Sequence, residues 1–86
     1  MLTITLAPNL TKHNAITELN RINSLLRRQK TEKIIFDAIN LVNIDSAGIA
    51  VLIELKQQTQ HNNVNFNLIN LSPLCFKLFQ LYNIYL

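Results

Sequence analysis

Residues 33–53 read KIIFDAINLVNIDSAGIAVLI, and the fold is decided there. Ile34-Ile35-Phe36 is a continuous apolar run, the pattern of a strand buried on both faces. It ends at Asp37, and a linker through Leu41 and Ile44 carries the chain to Asp45-Ser46. From Ala47 an apolar helix begins, turning polar by Lys56-Gln57-Gln58-Thr59-Gln60. Ser46 is expected to cap it, the hydroxyl accepting from the free N–H of Gly48 or Ile49. Gly48 is the chain's only glycine. In a helix it costs ~1 kcal/mol relative to alanine, so the expected return is close approach by another backbone.

Upstream, Leu2-Thr3-Ile4-Thr5-Leu6 alternates with period two, a half-buried strand. Pro8-Asn9 signals a turn, and Leu10-Thr11 is a candidate for a very short second strand. Ala15, Leu19, Ile22 and Leu26 then fall on one face of an amphipathic helix starting near Asn14. Downstream, Val64, Phe66 and Leu68 alternate with Asn65 and Asn67, giving another strand. Ser72-Pro73 opens a last helix, serine as cap and proline at the first helical position, running to about Tyr82. The order β(β)αβαβα predicts one α/β domain over residues 1–86, about four strands in a small mixed, largely parallel sheet with three helices.

Hydrophobic residues make up 49% of the 86 and charged residues 15%, so the chain can fold rather than stay disordered. The many asparagines carry no assigned chemistry as a set. Cys75 is the single cysteine, which excludes an internal disulfide and points to a reducing compartment. The longest apolar run, Ala47 to Ile53, is far below the ~20 residues that span a bilayer, and no basic N-terminal region suggests a signal peptide. The expectation is a cytoplasmic protein without membrane insertion. The net charge of +3 concentrates locally only at Arg27, Arg28, Lys30 and Lys33. Cations closing a helix complement its dipole, the plain reading of that cluster, and a weak contact with an anionic surface is the alternative; without interleaved aromatics it does not read as a nucleic-acid site. His13 and His61 lie far apart in sequence and are expected to be exposed, with no metal or other cofactor. No motif supplies Asp45-Ser46 with a base, and no glycine-rich phosphate loop occurs, so no enzyme is expected.

The strand ending in Asp37, the spacing to Asp45-Ser46-Ala47-Gly48 and the small-residue apolar helix that follows resemble the STAS domain signature. Asp37-Ala38-Ile39 departs from the Asp-Leu-Ser of many relatives. Leu81-Tyr82-Asn83-Ile84 closing the last helix, together with the chain's brevity, looks like the MlaB-like STAS subunits of Mla-type phospholipid ABC transporters. That resemblance implies an accessory subunit, peripheral to the inner membrane through its complex, that binds and tunes the ATPase subunit. The implied contact is Asp45, Ser46, Ala47, Gly48 and Ile49; in MlaB-like proteins the residue matching Ser46 is usually a threonine touching the ATPase. In the anti-sigma-factor antagonists of the same family the matching residue is the phosphate acceptor. The alternative is therefore an antagonist that binds an anti-sigma kinase and is switched by phosphorylation of Ser46. From the residues alone, Asp-Ser before an apolar helix is simply a good helix start.

The last helix is apolar around most of its circumference, with only Lys77 and Gln80 clearly polar. A helix packing one face on a sheet needs only a stripe. Phe76, Phe79 and Tyr82 are therefore expected to form a second partner surface.

Overall fold

The computed structural model describes residues 1–28 and 30–84. Strands β1 (Leu2–Thr5), β3 (Lys33–Asp37) and β5 (Asn65–Ile69) form one sheet in the order β1-β3-β5, both pairings parallel. Helix α1 (Ala15–Arg28) connects β1 to β3, and α2 (Ser46–His61) connects β3 to β5. Helix α3 (Pro73–Leu81) follows β5. Two short strands, β2 (Asn9–Leu10) and β4 (Asn43–Ile44), pair in parallel as a separate ribbon. The described strands number five rather than about four, and every pairing is parallel. Parallel neighbours need long crossovers, and α1 and α2 supply them.

Register explains the core. Leu2, Ile34 and Phe66 align across the sheet, as do Ile4, Phe36 and Leu68. These rows face the helices, and Ile4, Ile34 and Phe36 are buried. The Phe36 and Phe66 rings pack with centroids 5.1 Å apart. The alternate row, Thr3, Ile35 and Asn67, lies on the other face, where Thr3 is exposed and Ile35 half-buried. The strand expected to be buried on both faces is thus fully buried on one. Ile22, Leu52, Leu55, Cys75 and Phe79 complete the core from the helices.

Glu18, three residues after Ala15 and four before Ile22 on the same face of α1, is buried. The Arg21 guanidinium donates to both of its carboxylate oxygens, at 2.8 and 2.9 Å, and to the Thr5 carbonyl at 3.2 Å. An acid can be buried here because a charge-assisted pair satisfies it.

Asparagines end the later elements. Asn63, Asn70 and Asn83 take positive φ values of 57°, 59° and 54°. Left-handed backbone normally calls for glycine, and asparagine is the usual substitute. After α2, Asn63 N–H donates to the Gln60 carbonyl and Val64 N–H to that of Thr59. After α3, Asn83 N–H donates to Gln80 and Ile84 N–H to Phe79. Both are Schellman caps, so a chain with a single glycine still closes these two helices.

Candidate functional site

The loops after β1 and β3 meet where those strands end. Asn9 and Leu10 pair with Asn43 and Ile44, the Pro8 carbonyl accepts from the N–H of Val42 and Asn43, and Asn43 Nδ2 donates to Asn9 Oδ1 at 2.7 Å. This ribbon delivers Asp45 to the start of α2. Asp45 is extended (φ −123°, ψ −172°), and its Oδ1 accepts from Gly48 N–H at 3.1 Å. Its Oδ2 accepts from Lys12 N–H at 2.9 Å. One carboxylate therefore caps α2 and pins the loop that leads into α1.

This corrects the assignment of the cap. Asp45 holds that position, and Ser46 is the first helical residue. Either side chain can cap a helix; the bond from Lys12, distant in sequence, accompanies the choice of Asp45. The amide of Lys12, and after it that of Gly48, hold the Asp45 carboxyl below its ordinary value of 3.8, so it is ionised at neutral pH. Ser46, relieved of capping, is exposed and its hydroxyl makes no hydrogen bond among the described residues. It stands at the positive pole of a helix and directly beside a carboxylate.

Gly48 meets the close backbone approach that its cost implied, from within the chain. A Cβ there would lie 2.8 Å from both Ile44 Cγ1 and the Leu10 carbonyl carbon, and closer still to the Leu10 carbonyl oxygen. Gly48 and Ile49 are buried, and so belong beneath the site rather than on its surface. Of the five residues expected at the contact, Asp45 and Ala47 are half-exposed and Ser46 is open to solvent.

Beside Ser46 an open groove of ≈ 350 Å³ runs between α1 and α2. Ala15, Leu19, Ala47 and Val51 line it, with Lys12 near the Ser46 end and Glu54 farther along α2. Ile16, also in its lining, is 70% exposed. The sequence reading missed this groove because Ile16 lies off the periodic face of α1. The available signal was an isoleucine outside that face together with alanines at 47 and 50 on the facing helix.

On α3 Phe76 is exposed, as is the C-cap Tyr82, whereas Phe79 is 4% exposed and packs in the core with Cys75. Phe79 therefore leaves the expected second surface. One turn apart, Cys75 and Phe79 define the inward side of α3, which leaves Leu74 and Leu81 outside. Asp37 serves its loop, accepting from Ile39 N–H at 3.0 Å and Asn70 Nδ2 at 2.9 Å. His13 and His61 are both exposed. Among the described residues, no three His, Cys, Asp or Glu side chains gather as a metal site, and no helix is long and apolar enough to cross a membrane.

A family model of the STAS domain matches residues 1–85. The chain belongs to the STAS domain family. Similar solved structures include a sulfate transporter family protein from Wolinella succinogenes, at 12% identity and a TM-score of 0.77. Another is the anti-sigma factor antagonist SpoIIAA in its unphosphorylated form, at 22% identity and a TM-score of 0.76. Each comparison takes in 95% of this STAS chain, but 66% of the first structure's chain and 71% of the second's. This chain thus spans just under two thirds of the sulfate transporter family structure. At these identities the likeness is one of fold. No protein with a curated description matches the chain significantly.

Proposed function

We propose that this STAS domain is a non-enzymatic docking subunit that binds the cytoplasmic ATPase subunit of a phospholipid-transporting ABC system. Ser46 and the start of α2 form the contact. The observation that carries this reading is the double use of Asp45. Because its carboxylate caps α2 and ties down Lys12, Ser46 is held at a fixed place, its hydroxyl without a hydrogen-bond partner among the described residues. Such a display suits recognition, since the partner bears little of the cost of ordering the turn. The adjoining groove offers apolar area for a helix of the partner, read through anchors one turn apart. Binding there stabilises or tunes the ATPase. The choice of an ABC ATPase rests on the resemblance of the Asp45-Ser46-Ala47-Gly48 turn and the Leu81-Tyr82-Asn83-Ile84 ending to MlaB-like subunits.

A second reading is favoured by the exposed Ser46 hydroxyl and the likeness to SpoIIAA: an antagonist of an anti-sigma kinase, switched by phosphorylation of Ser46. A phosphate there adds nearly two negative charges. They would sit at a favourable helix N-terminus but beside ionised Asp45, which favours a change of contacts at this turn.

Co-purification with an ABC ATPase subunit from native cells, together with mass spectrometry of the native domain, separates the two. The first reading expects ATPase capture by a domain without phosphate on Ser46. Stoichiometric phosphate on Ser46 and no capture of the ATPase would replace it with the second.

A further inference from the structure

The net charge of this chain has one address. Over the rest of the sequence, Lys12, Arg21, Lys56 and Lys77 are balanced by Glu18, Asp37, Asp45 and Glu54, so the whole +3 resides in Arg27, Arg28, Lys30, Glu32 and Lys33. The fold sets this segment at the opposite end of the domain from the Asp45 turn. It joins the C-terminus of α1 to the beginning of β3, while the turn follows the end of that same strand. All four cations are exposed. A helix of 16 residues, α2, is about 24 Å long, well beyond the ~8 Å Debye length at physiological salt. The two ends therefore act independently.

Complementing a helix dipole accounts for only half of this cluster. Helix α1 ends at Arg28, and the dipole's influence fades within the last turn. Lys30 and Lys33 lie beyond it, around a shallow depression shared with Met1, Thr31 and Glu32. Met1 is 80% exposed there, an apolar residue among cations. Among the described residues no aromatic lines this depression or the neighbouring one beside Lys30, so neither offers a stacking platform for bases. Clustered cations with an exposed apolar residue match the boundary between lipid headgroups and acyl chains.

We propose that this basic end is a contact surface for the anionic headgroups of a phospholipid bilayer. It holds the domain at the membrane surface without insertion and leaves the Ser46 end facing away. The contact is separate from the partner proposed for Ser46, and its test involves no ATPase.

The test is sedimentation of the whole chain with phosphatidylcholine vesicles, with and without phosphatidylglycerol, over a range of salt. Binding is expected only with the anionic lipid and is expected to weaken as salt rises. At about fivefold per basic residue, Lys30→Gln lowers the partition coefficient about fivefold, and Lys30→Gln with Lys33→Gln lowers it about 25-fold. Lys77→Gln removes the same charge elsewhere and leaves partitioning within about twofold. Melting curves show that each variant is folded. Equal binding to neutral vesicles, no binding to either kind, or an equal loss in Lys77→Gln overturns the proposal. So does salt-sensitive binding to an oligonucleotide that is tighter than binding to the anionic vesicles, which would assign this end to nucleic acid.

Discussion

Replacing Gly48 with alanine sets two effects of opposite sign against each other. Helix propensity alone predicts stabilisation of ~1 kcal/mol, since glycine is a poor helix former. The packing predicts the reverse. The new methyl would sit 2.8 Å from Ile44 Cγ1 and from the Leu10 carbonyl carbon, where ordinary contact begins at 3.4 Å. Two of the three nearest atoms are backbone, so no side-chain rotation relieves the clash. The β2 strand must retreat, stretching the Asp45 N–H to Leu10 carbonyl bond, already 3.4 Å, and straining the Lys12 tie to Asp45. Overpacking of this kind costs ~1–3 kcal/mol, and a weakened hydrogen bond about 1 more. Set against the propensity gain, the net expectation is a loss of about 2 kcal/mol, or roughly 8–16 °C in Tm for a domain of this size. Thermal melting followed by circular dichroism, with urea titration to check that the m-value is unchanged, measures it. A Gly48→Ala variant as stable as the parent, or more so, would refute the close approach and with it the fixed geometry of the turn.

Other expectations follow from the same bonds. Ser46→Ala should change stability by less than ~0.5 kcal/mol, as at a surface site, because Asp45 is the cap; a loss of ~1 kcal/mol or more in urea titration would return that role to Ser46. Asp45 is held below its ordinary 3.8 in the folded state, so its contribution is fully present above that value and is lost as pH falls through the lower native one. Asp45→Asn should therefore flatten the acid limb of the stability–pH curve below 3.8, and an unchanged limb would count against the two amide bonds. Asn63→Ala should cost about 1 kcal/mol for its left-handed backbone while Asn63→Gly costs none, and equal effects in parallel melts would contradict the cap assigned there.

The larger elements were legible because their apolar periods are long and unmixed. Ala15, Leu19, Ile22 and Leu26 mark α1, and Ile34-Ile35-Phe36 marks the central strand. What stayed hidden depends on contacts distant in sequence. The two residues of β4, Asn43 and Ile44, are a strand only because β2 lies beside them. Nothing local distinguishes Asp45 from Ser46 as a cap; the bond from Lys12 lies 33 residues away. On α3 the apolar side chains encircle the helix, so composition could not say that Phe79 points inward and Leu81 outward. The asparagines carry no chemistry as a set that the sequence assigns, yet three of them occupy the backbone positions where a chain richer in glycine would use glycine. Within the expected turn the residues thus exchange structural roles. Asp45 builds the turn, Gly48 lets β2 close on it, and Ser46 is what it displays.

The most direct test of that account is the affinity of the purified domain for the ABC ATPase subunit, compared with that of Ser46→Tyr. Ser46 is exposed and outside the core, so the variant should melt within a few degrees of the parent. A bulky ring at the centre of a docking turn should weaken binding by about 100-fold, or ~2.7 kcal/mol. Undiminished binding by a folded Ser46→Tyr domain, or no measurable binding by the parent, would contradict it.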